Sequence, residues 1–377
     1  MLTDPPTIQS GHVLALRLFD AADEIDLEHA QRLWRQHATA PASRHGLATP
    51  PKAVAFGVPP LTLALPPVPL TLPSGTVEAT MTARLYDFGA ISLALRVPAD
   101  GLGWAAFSAV VNEVDATIGP QAGPGPWQAI LATITATLAP AMVPASTPGP
   151  AASVQEDYLM AVVHALQNET PTAEALLGRI DLTALLAGEK RRLSPGARAD
   201  LLRHRFSWYE DDLVVLTWDR AFVYEPRADA DVTDVIEVAN AQLLAMRAYD
   251  EVLDAELPRM YDHVAAARSG LNPLASRRYA GLARRLHTLV AEVTELTERV
   301  DNALQVTEDV YLARVYAAAL DQFRVAAVTA AVNRKLAIIR ETYTALYDEA
   351  ASARAELLEI AIVFLIMFEI VMAFVRH

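Results

Sequence analysis

The sequence predicts an α+β protein: a proline-rich N-terminal α/β part, then a predominantly helical part with a long helical hairpin and a C-terminal transmembrane helix. Three observations support this order. Strand-like alternation and dense proline clusters occur in the first 150 residues. No proline follows Pro273 and no glycine follows Gly281, as expected for long uninterrupted helices. The run Ile360–Val375 is almost wholly apolar.

Composition restricts the class of protein. The chain has 377 residues and is 53% hydrophobic, so it has enough apolar residues for a sizeable core. The net charge of −14 argues against a broad nucleic-acid-binding surface, and we expect nucleic acid not to be a partner. The absence of cysteine excludes disulfides, thiolate metal ligands and cysteine nucleophiles. Residues 1–10 have no signal-peptide pattern, so we expect the bulk of the chain to stay in the cytoplasm.

The N-terminal region combines short strands and helices. We predict a strand at His12–Asp20, a helix at Asp26–Gln36, a hairpin of Thr76–Leu85 with Phe88–Val97, and a helix at Gly103–Ile118. The prolines of Pro59–Pro73 argue against a central strand in that segment, because proline cannot donate to a sheet ladder. The breaker-rich stretch 140–152 is predicted to be a linker.

After this linker the pattern becomes helical. Helices are predicted over Val154–Gln167, Thr172–Leu186 and Pro195–Trp208, and Asp212–Tyr224 is predicted to form a second hairpin. The sequence therefore suggests four regions: 1–150, α+β; 151–230, helices with a hairpin; 231–359, long helices resembling coiled coils; and 360–375, a transmembrane helix.

The long helices carry heptad-like spacing. A helix is expected over Val232–Ala267, with a kink or break at Pro258. A chain reversal is predicted near Asn302–Asp309, where a stop and an N-cap occur together. The apolar seam before this turn consists of Leu282, Leu286, Leu289, Val293, Leu296 and Val300. The seam after it runs from Leu336 through Ile339, Tyr343 and Leu346 to Phe374. Two such seams predict an antiparallel pair, and an ordinary helical bundle core is the alternative.

The apolar run is predicted to be a membrane anchor. Fifteen of its sixteen residues are apolar, and Glu369 is its one charge. As a helix it would span about 24 Å, slightly less than a hydrocarbon core of about 30 Å. The predicted anchor residues are Ile360, Ile362, Phe364, Met367, Glu369, Val371 and Phe374. We expect membrane lipid and a second copy of the chain as partners, with Glu369 as an interhelical contact. A buried core helix is the alternative.

The most unusual polar cluster is a basic and aromatic patch. It contains Arg203, His204, Arg205, Trp208 and Tyr209, and an acidic run follows it. Such a patch could bind RNA or an acidic partner. The alternative is a helix end whose cations interact with the helix dipole.

Signals for catalysis are weak. Glu156, Asp157 and His164 could share one helix face, but an ordinary surface helix is the better explanation of them. The sequence contains no HExxH motif, no glycine-rich phosphate loop and no nucleophile elbow, so we predict no catalytic residues, metal or cofactor.

The order of features resembles the "required for meiotic nuclear division" family, a domain of unknown function. The resemblance covers about residues 80–377. It depends on Tyr86–Ile91, the helices predicted from Tyr158, the Arg203–Arg205 and Tyr209–Asp212 segments, and Lys335–Leu346 leading into the apolar helix with its internal Glu369. The long proline-rich N-terminal region departs from that family. The resemblance implies a membrane-anchored, oligomeric scaffold or assembly protein without enzymatic activity, here in a bacterial inner membrane. The alternative is an unrecognised hydrolase or a nucleotide- or RNA-binding protein with its site in the α+β region.

Overall fold

The computed structural model describes residues 5–37, 42–44, 54–55, 59–123, 125–144, 154–189, 191–228, 231–268, 305–306 and 309–375, with isolated helical positions between 281 and 294. The chain divides into two compact units: Met1–Ala248 with Arg299–Ala326, and Tyr249–Glu298 with Ala327–His377. The predicted α+β class, with a sheet first and helices after it, is confirmed.

The described strands are β1 (Ile8–Asp20), β2 (Glu24–Ile25), β3 (Ala42–Arg44), β4 (Val54–Ala55), β5 (Leu61–Leu72), β6 (Gly75–Leu85), β7 (Ala90–Pro98), β8 (Met142–Val143), β9 (Gln155–Leu166), β10 (Arg205–Phe206), β11 (Leu213–Leu216), β12 (Arg220–Tyr224) and β13 (Gln305–Val306). The described helices are α1 (Leu27–His37), α2 (Trp104–Ile118), α3 (Trp127–Leu138), α4 (Ala173–Arg179), α5 (Thr183–Ala187), α6 (Pro195–Leu201), α7 (Asp231–Arg268), α8 (Val310–Gln322) and α9 (Val325–Val375).

One large sheet organises the first unit. Its nine strands lie in the order β10-β11-β12-β9-β1-β7-β6-β5-β3. Neighbouring strands are antiparallel except β12 and β9, which are parallel. Strands from both sides of residue 150 therefore share one sheet, although the sequence suggested a boundary there.

The sheet is covered on both faces. Along β1, Val13, Ala15 and Phe19 belong to a core that includes Phe107 of α2 and Ile134 of α3. The alternate residues of β1 point to the opposite face. On that face, Tyr158 of β9 meets Phe323, which directly follows α8, in an edge-to-face contact at 5.1 Å. The first half of α7 also lies on this face, where Asp234 forms an ion pair with Arg84 of β6. Because both faces of β1 are buried, its central residues Val13–Leu16 form an apolar run without alternation.

Strand β9 corrects the sequence interpretation. The predicted helix Val154–Gln167 is a strand, which lies between β1 and β12. Its central position buries both faces, so its apolar residues form a run rather than an alternation. The proposed cluster of Glu156, Asp157 and His164 on one helix face is consequently wrong, because neighbouring strand residues point to opposite faces.

Other predicted elements differ in their limits. Thr172–Leu186 contains two short helices, α4 and α5, and Pro195–Trp208 contains α6 followed by β10. Pro59–Pro73 contains strand β5, which pairs with β6 on one side and β3 on the other. Its prolines are tolerated because the register shifts between Leu65 and Val68 and because β3 pairs only with Leu61–Leu63.

Several predictions are confirmed. The strand at His12–Asp20 is part of β1, and the two predicted hairpins form as β6–β7 and β11–β12. The predicted helices near Asp26–Gln36 and Gly103–Ile118 form as α1 and α2. Asp309 caps α8, since its carboxylate accepts from the backbone N–H groups of Tyr311 and Leu312 at 2.8 and 3.1 Å. Of the kink or break predicted at Pro258, the break does not occur, because α7 continues through this residue.

The second unit contains the later half of α7 and all of α9 except its first two residues. Lys335 of α9 donates to Asp250 and Asp254 of α7, each at 2.6 Å. Leu336 and Ile339 of the predicted second seam are buried. Three predicted features lie wholly or partly outside the described residues. They are the first apolar seam, most of the predicted chain reversal, and the predicted linker beyond residue 144.

Candidate partner-binding groove

A groove of about 690 Å³ lies beside the edge of the sheet in the first unit. One wall is the start of α4, and the other is β10 with the loop that leads to β11. The lining residues are Thr172, Ala173, Glu174, Leu177, Arg205, Phe206, Ser207, Trp208, Tyr209, Glu210 and Leu213. The groove thus combines aromatic side chains with two carboxylates and one guanidinium.

Hydrogen bonds from a buried aspartate shape the loop wall. The carboxylate of Asp212, which is only 2% exposed, accepts from the backbone N–H groups of Trp208 at 2.7 Å and Tyr209 at 3.1 Å. The Ser207 hydroxyl donates to the carbonyl of Tyr209. These bonds hold the loop while leaving the Trp208 and Tyr209 side chains 54% and 48% exposed. Exposed aromatic faces held in place by backbone bonds are suited to binding.

The helix wall is attached to the loop through backbone atoms. Thr172 begins α4 as its N-cap, since the hydroxyl accepts from the backbone N–H of Ala175 at 3.3 Å. The next residue, Ala173, donates its N–H to the carbonyl of Glu210 at 2.7 Å. This bond joins the two walls, so the width of the groove is fixed by the main chain.

A stacked arginine supports Tyr209. The Arg227 guanidinium lies 4.0 Å from the centre of the Tyr209 ring and pairs with Glu225 at 3.2 Å. Burial lowers the pKa of Arg227, but its hydrogen bonds with Glu225 and Tyr209 outweigh this effect and raise the pKa overall. The guanidinium therefore stays charged and the cation–π contact persists over the whole physiological pH range.

The predicted basic and aromatic patch is only partly assembled. Arg205, Trp208 and Tyr209 line the groove together, whereas Arg203 and His204 do not. The groove residues from α4 and the supporting Arg227 were not predicted. They lie about twenty to forty residues away along the chain, and no short motif joins them to the patch. Only the sheet topology brings these segments together.

A second polar cluster packs between α2 and the sheet. Arg220, which is 6% exposed, donates to Asn112 at 2.7 Å, to the carbonyl of Leu185 at 2.8 Å and to Asp115 at 2.6 Å. Burial raises the pKa of the neighbouring carboxyl groups of Asp157 and Asp219. This cluster links α2, α5 and β12, and we regard it as structural.

A third cluster lies on the opposite face of the sheet. Arg84 of β6 pairs with Asp234 at 2.9 Å and Glu237 at 2.8 Å, both from α7. His12 stacks with His164 at 5.3 Å, and its pKa is lowered to about 3, mainly by burial, so the ring is neutral at physiological pH. Among the described residues no group of three or more histidines and carboxylates could hold a metal ion.

Comparison with known proteins identifies the family. Residues 10–231 match the family described as "Uncharacterized protein MJ0711, N-terminal domain". The chain belongs to this family. A curated relative, the uncharacterized protein MJ0711 of Methanocaldococcus jannaschii, is 24% identical over 196 residues. The alignment covers 52% of this chain and 59% of the relative, so the chain spans little more than half of that protein. No solved structure matches this chain significantly.

The match to the MJ0711 N-terminal family contains the groove but ends well before the apolar part of α9. In that part, Ile362, Phe364, Met367, Glu369 and Val371 of the predicted anchor are exposed. The side chains of Ile360 and Phe374 lie outside the described set.

In the part of the chain that the structure describes, no single helix is both long enough and apolar enough to span a membrane. Two consecutive helical segments, Val310–Gln322 and Val325–Thr342, are long and apolar enough only when taken together, and they are bent by 62° relative to each other. Ala361–Met372 is apolar but shorter.

Proposed function

We propose that this protein is a membrane-anchored scaffold or assembly protein, attached to a lipid bilayer through residues 361–372 of α9 and the residues that flank them. The observation that supports this proposal is the exposure of ten large apolar side chains in that segment, between 45 and 69% each. They occupy nearly consecutive positions, so they surround the helix instead of forming one stripe.

The amount of exposed apolar surface requires a cover. At about half exposure, ten large side chains leave roughly 1,000 Å² of apolar surface in contact with water, whereas the largest patch on a typical soluble monomer is roughly 300–600 Å². An apolar stripe on one side of the helix would suit a single partner helix. A helix that is apolar all round suits lipid, which contacts every side.

Glu369 gives the proposed anchor a second role. It is the only charged residue in the segment, and a carboxyl inside a bilayer is costly unless it has a polar partner. We propose that it bonds to a neighbouring copy of the chain, which makes the protein a homo-oligomer. The resemblance to the "required for meiotic nuclear division" family is consistent with this role, and a common ancestry with that family remains part of the proposal.

Flotation of the full-length chain with liposomes tests the anchor. We expect the wild type to float with vesicles of phosphatidylethanolamine and phosphatidylglycerol and to resist carbonate extraction, while deletion of residues 357–377 leaves the protein at the bottom of the gradient. Trp218→Ser is the matched control, because it removes a single exposed aromatic residue outside the segment. A full-length chain that is monodisperse without detergent and does not float would refute the anchor.

Cross-linking in the same vesicles tests the role of Glu369. We expect Glu369→Leu to float as well as the wild type but to give fewer cross-linked oligomers. Equal oligomer yields from the two proteins would refute the carboxyl contact, while the anchor itself would stand.

A further inference from the structure

The groove lies next to an unpaired edge of the large sheet. Strand β10 is the last strand in the sheet order, and no described strand pairs with its outer side. The N–H of Leu216 in β11 donates to the carbonyl of His204 at 2.9 Å. Because the hydrogen-bonding groups of successive strand residues point to opposite sides, the N–H and carbonyl of Arg205 point outward. This edge can accept one more strand.

The edge and the groove form one continuous surface. Arg205, Phe206 and Ser207 belong both to β10 or its continuation and to the groove lining. A strand added to this edge would therefore run along the groove, with alternate side chains directed toward its walls. Trp208 and Tyr209 stand on the loop wall, and their backbone is already held by Asp212. Little further ordering of the protein is needed for binding.

The charges of the groove select the kind of side chain that it accepts. The lining contains two carboxylates, Glu174 and Glu210, and one cation, Arg205. Two further guanidinium groups border it: Arg227 stacks on Tyr209 and is paired with Glu225, and Arg314 lies 5.9 Å from the centre of the Phe206 ring. Carboxylates beside exposed aromatic rings favour a cationic side chain, which gains both ion pairing and a cation–π contact. The same carboxylates repel phosphate groups, and the net charge of −14 adds to this repulsion. The charges thus favour a basic peptide over RNA or an acidic partner.

We infer that the groove binds an extended segment of a protein partner that carries a lysine or arginine. The segment adds to β10 as an edge strand and places its cationic side chain against Trp208, near Glu174 and Glu210. This inference extends the proposed function, since it specifies the chemistry of the soluble partner that a membrane-anchored assembly protein would hold.

Selection from a phage library of random heptapeptides tests the side-chain preference. With the full-length chain in detergent as bait, we expect the selected peptides to share a lysine or arginine at one position, flanked by β-branched or aromatic residues. Trp208→Ala should lose this enrichment, while Trp218→Ala, which removes a still more exposed tryptophan outside the groove, should keep it. An acidic consensus, or the same peptides selected on Trp208→Ala, would overturn the inference.

Fluorescence anisotropy with one selected peptide then measures the contribution of each part. Trp208→Ala should weaken binding at least about tenfold, as for a central aromatic contact, and Glu174→Gln with Glu210→Gln should weaken it about tenfold in low salt. Trp218→Ala should change it less than about twofold. Displacement of the peptide by a twelve-nucleotide oligouridine would instead identify a nucleic-acid site and overturn the inference.

Peptide N-methylation tests strand addition without altering the protein. Methyl groups on alternate amides should abolish binding in the register that pairs with β10 and should have little effect when shifted by one residue. Equal binding of both methylated peptides would overturn the strand mode. The peptide assays are carried out in detergent and do not depend on membrane attachment. If they fail, the proposal of a membrane anchor still stands, and if liposome flotation fails, the proposal of a peptide-binding groove still stands.

Discussion

The ion pair between Glu156 and Arg247 should make the stability of the first unit dependent on pH. Glu156 lies in β9 and is 8% exposed, while Arg247 lies in α7 and its side chain is 50% exposed. The two side chains are 2.7 Å apart. Burial raises the pKa of Glu156 from 4.5 to about 7, and Arg247 opposes this effect without cancelling it. The half-exposed guanidinium therefore compensates only part of the desolvation of the carboxylate.

The sign of the effect follows from proton binding. Since the pKa of Glu156 is higher in the folded state, the native protein binds more protons than the unfolded chain between pH 4.5 and 7. The free energy of unfolding therefore falls as the pH rises through this window. Below it the carboxyl is protonated in both states. Above it the full penalty is present, and at about 1.4 kcal/mol per pKa unit this amounts to about 3 kcal/mol.

Urea unfolding at a series of pH values measures this effect. The buried Trp34, Trp104 and Trp127 report on the first unit through their fluorescence. We expect Glu156→Gln to match the wild type near pH 4.5 and to be more stable above pH 7. The exposed Glu78 provides the control, since Glu78→Gln should keep the pH slope of the wild type. Parallel stability curves for Glu156→Gln and the wild type would refute the reasoning.

Two further predictions concern positions with defined local geometry. Gly89 has φ of +94°, and an added Cβ would lie 1.7 Å from the carbonyl of Ala22, so Gly89→Ala should destabilise the protein by about 2 kcal/mol or more in urea unfolding. Gly101 also has a positive φ, but a Cβ added there would have no atom of another part of the chain within 4 Å. Gly101→Ala should therefore destabilise the protein by about half as much as Gly89→Ala. Arg220→Met should lower the free energy of unfolding by about 2 kcal/mol, which thermal unfolding followed by circular dichroism measures. The loss is smaller than for a fully buried ion pair, because the Asp115 side chain is 36% exposed and water can solvate it.

The fold could be predicted where burial is one-sided. The β6–β7 hairpin alternates between buried and exposed residues along β6, and the same alternation is visible in its sequence. Strand β9 could not be recognised, because both of its faces are buried and an apolar run of this length also suits a helix. Strand β5 could not be predicted because proline normally argues against a strand in the middle of a sheet. Its prolines fit into this strand because the register shifts between Leu65 and Val68.

The candidate site could be predicted only in part, for a related reason. The patch of Arg205, Trp208 and Tyr209 is contiguous in the sequence, so its unusual composition was visible. The opposite wall, with Glu174 and Leu177, belongs to a helix that precedes it by about thirty residues. The two walls meet because Ala173 bonds to Glu210, and such a long-range backbone contact has no local sequence signal. In the sequence the patch is basic, whereas the lining of the groove has two carboxylates, Glu174 and Glu210, and one cation, Arg205.

The placement of Asp212 is compatible with the proposed binding role of the groove. A buried carboxylate is costly unless its oxygens accept hydrogen bonds, and here both oxygens accept from the loop of Trp208 and Tyr209. Those bonds order a loop whose aromatic side chains stay about half exposed, with Trp208 beside Tyr311 and Tyr209 beside Arg227. The hydrogen bonds of the buried Asp212 therefore fix the backbone of a partly exposed loop. A binding site that is ordered before its ligand arrives needs such a fixed backbone.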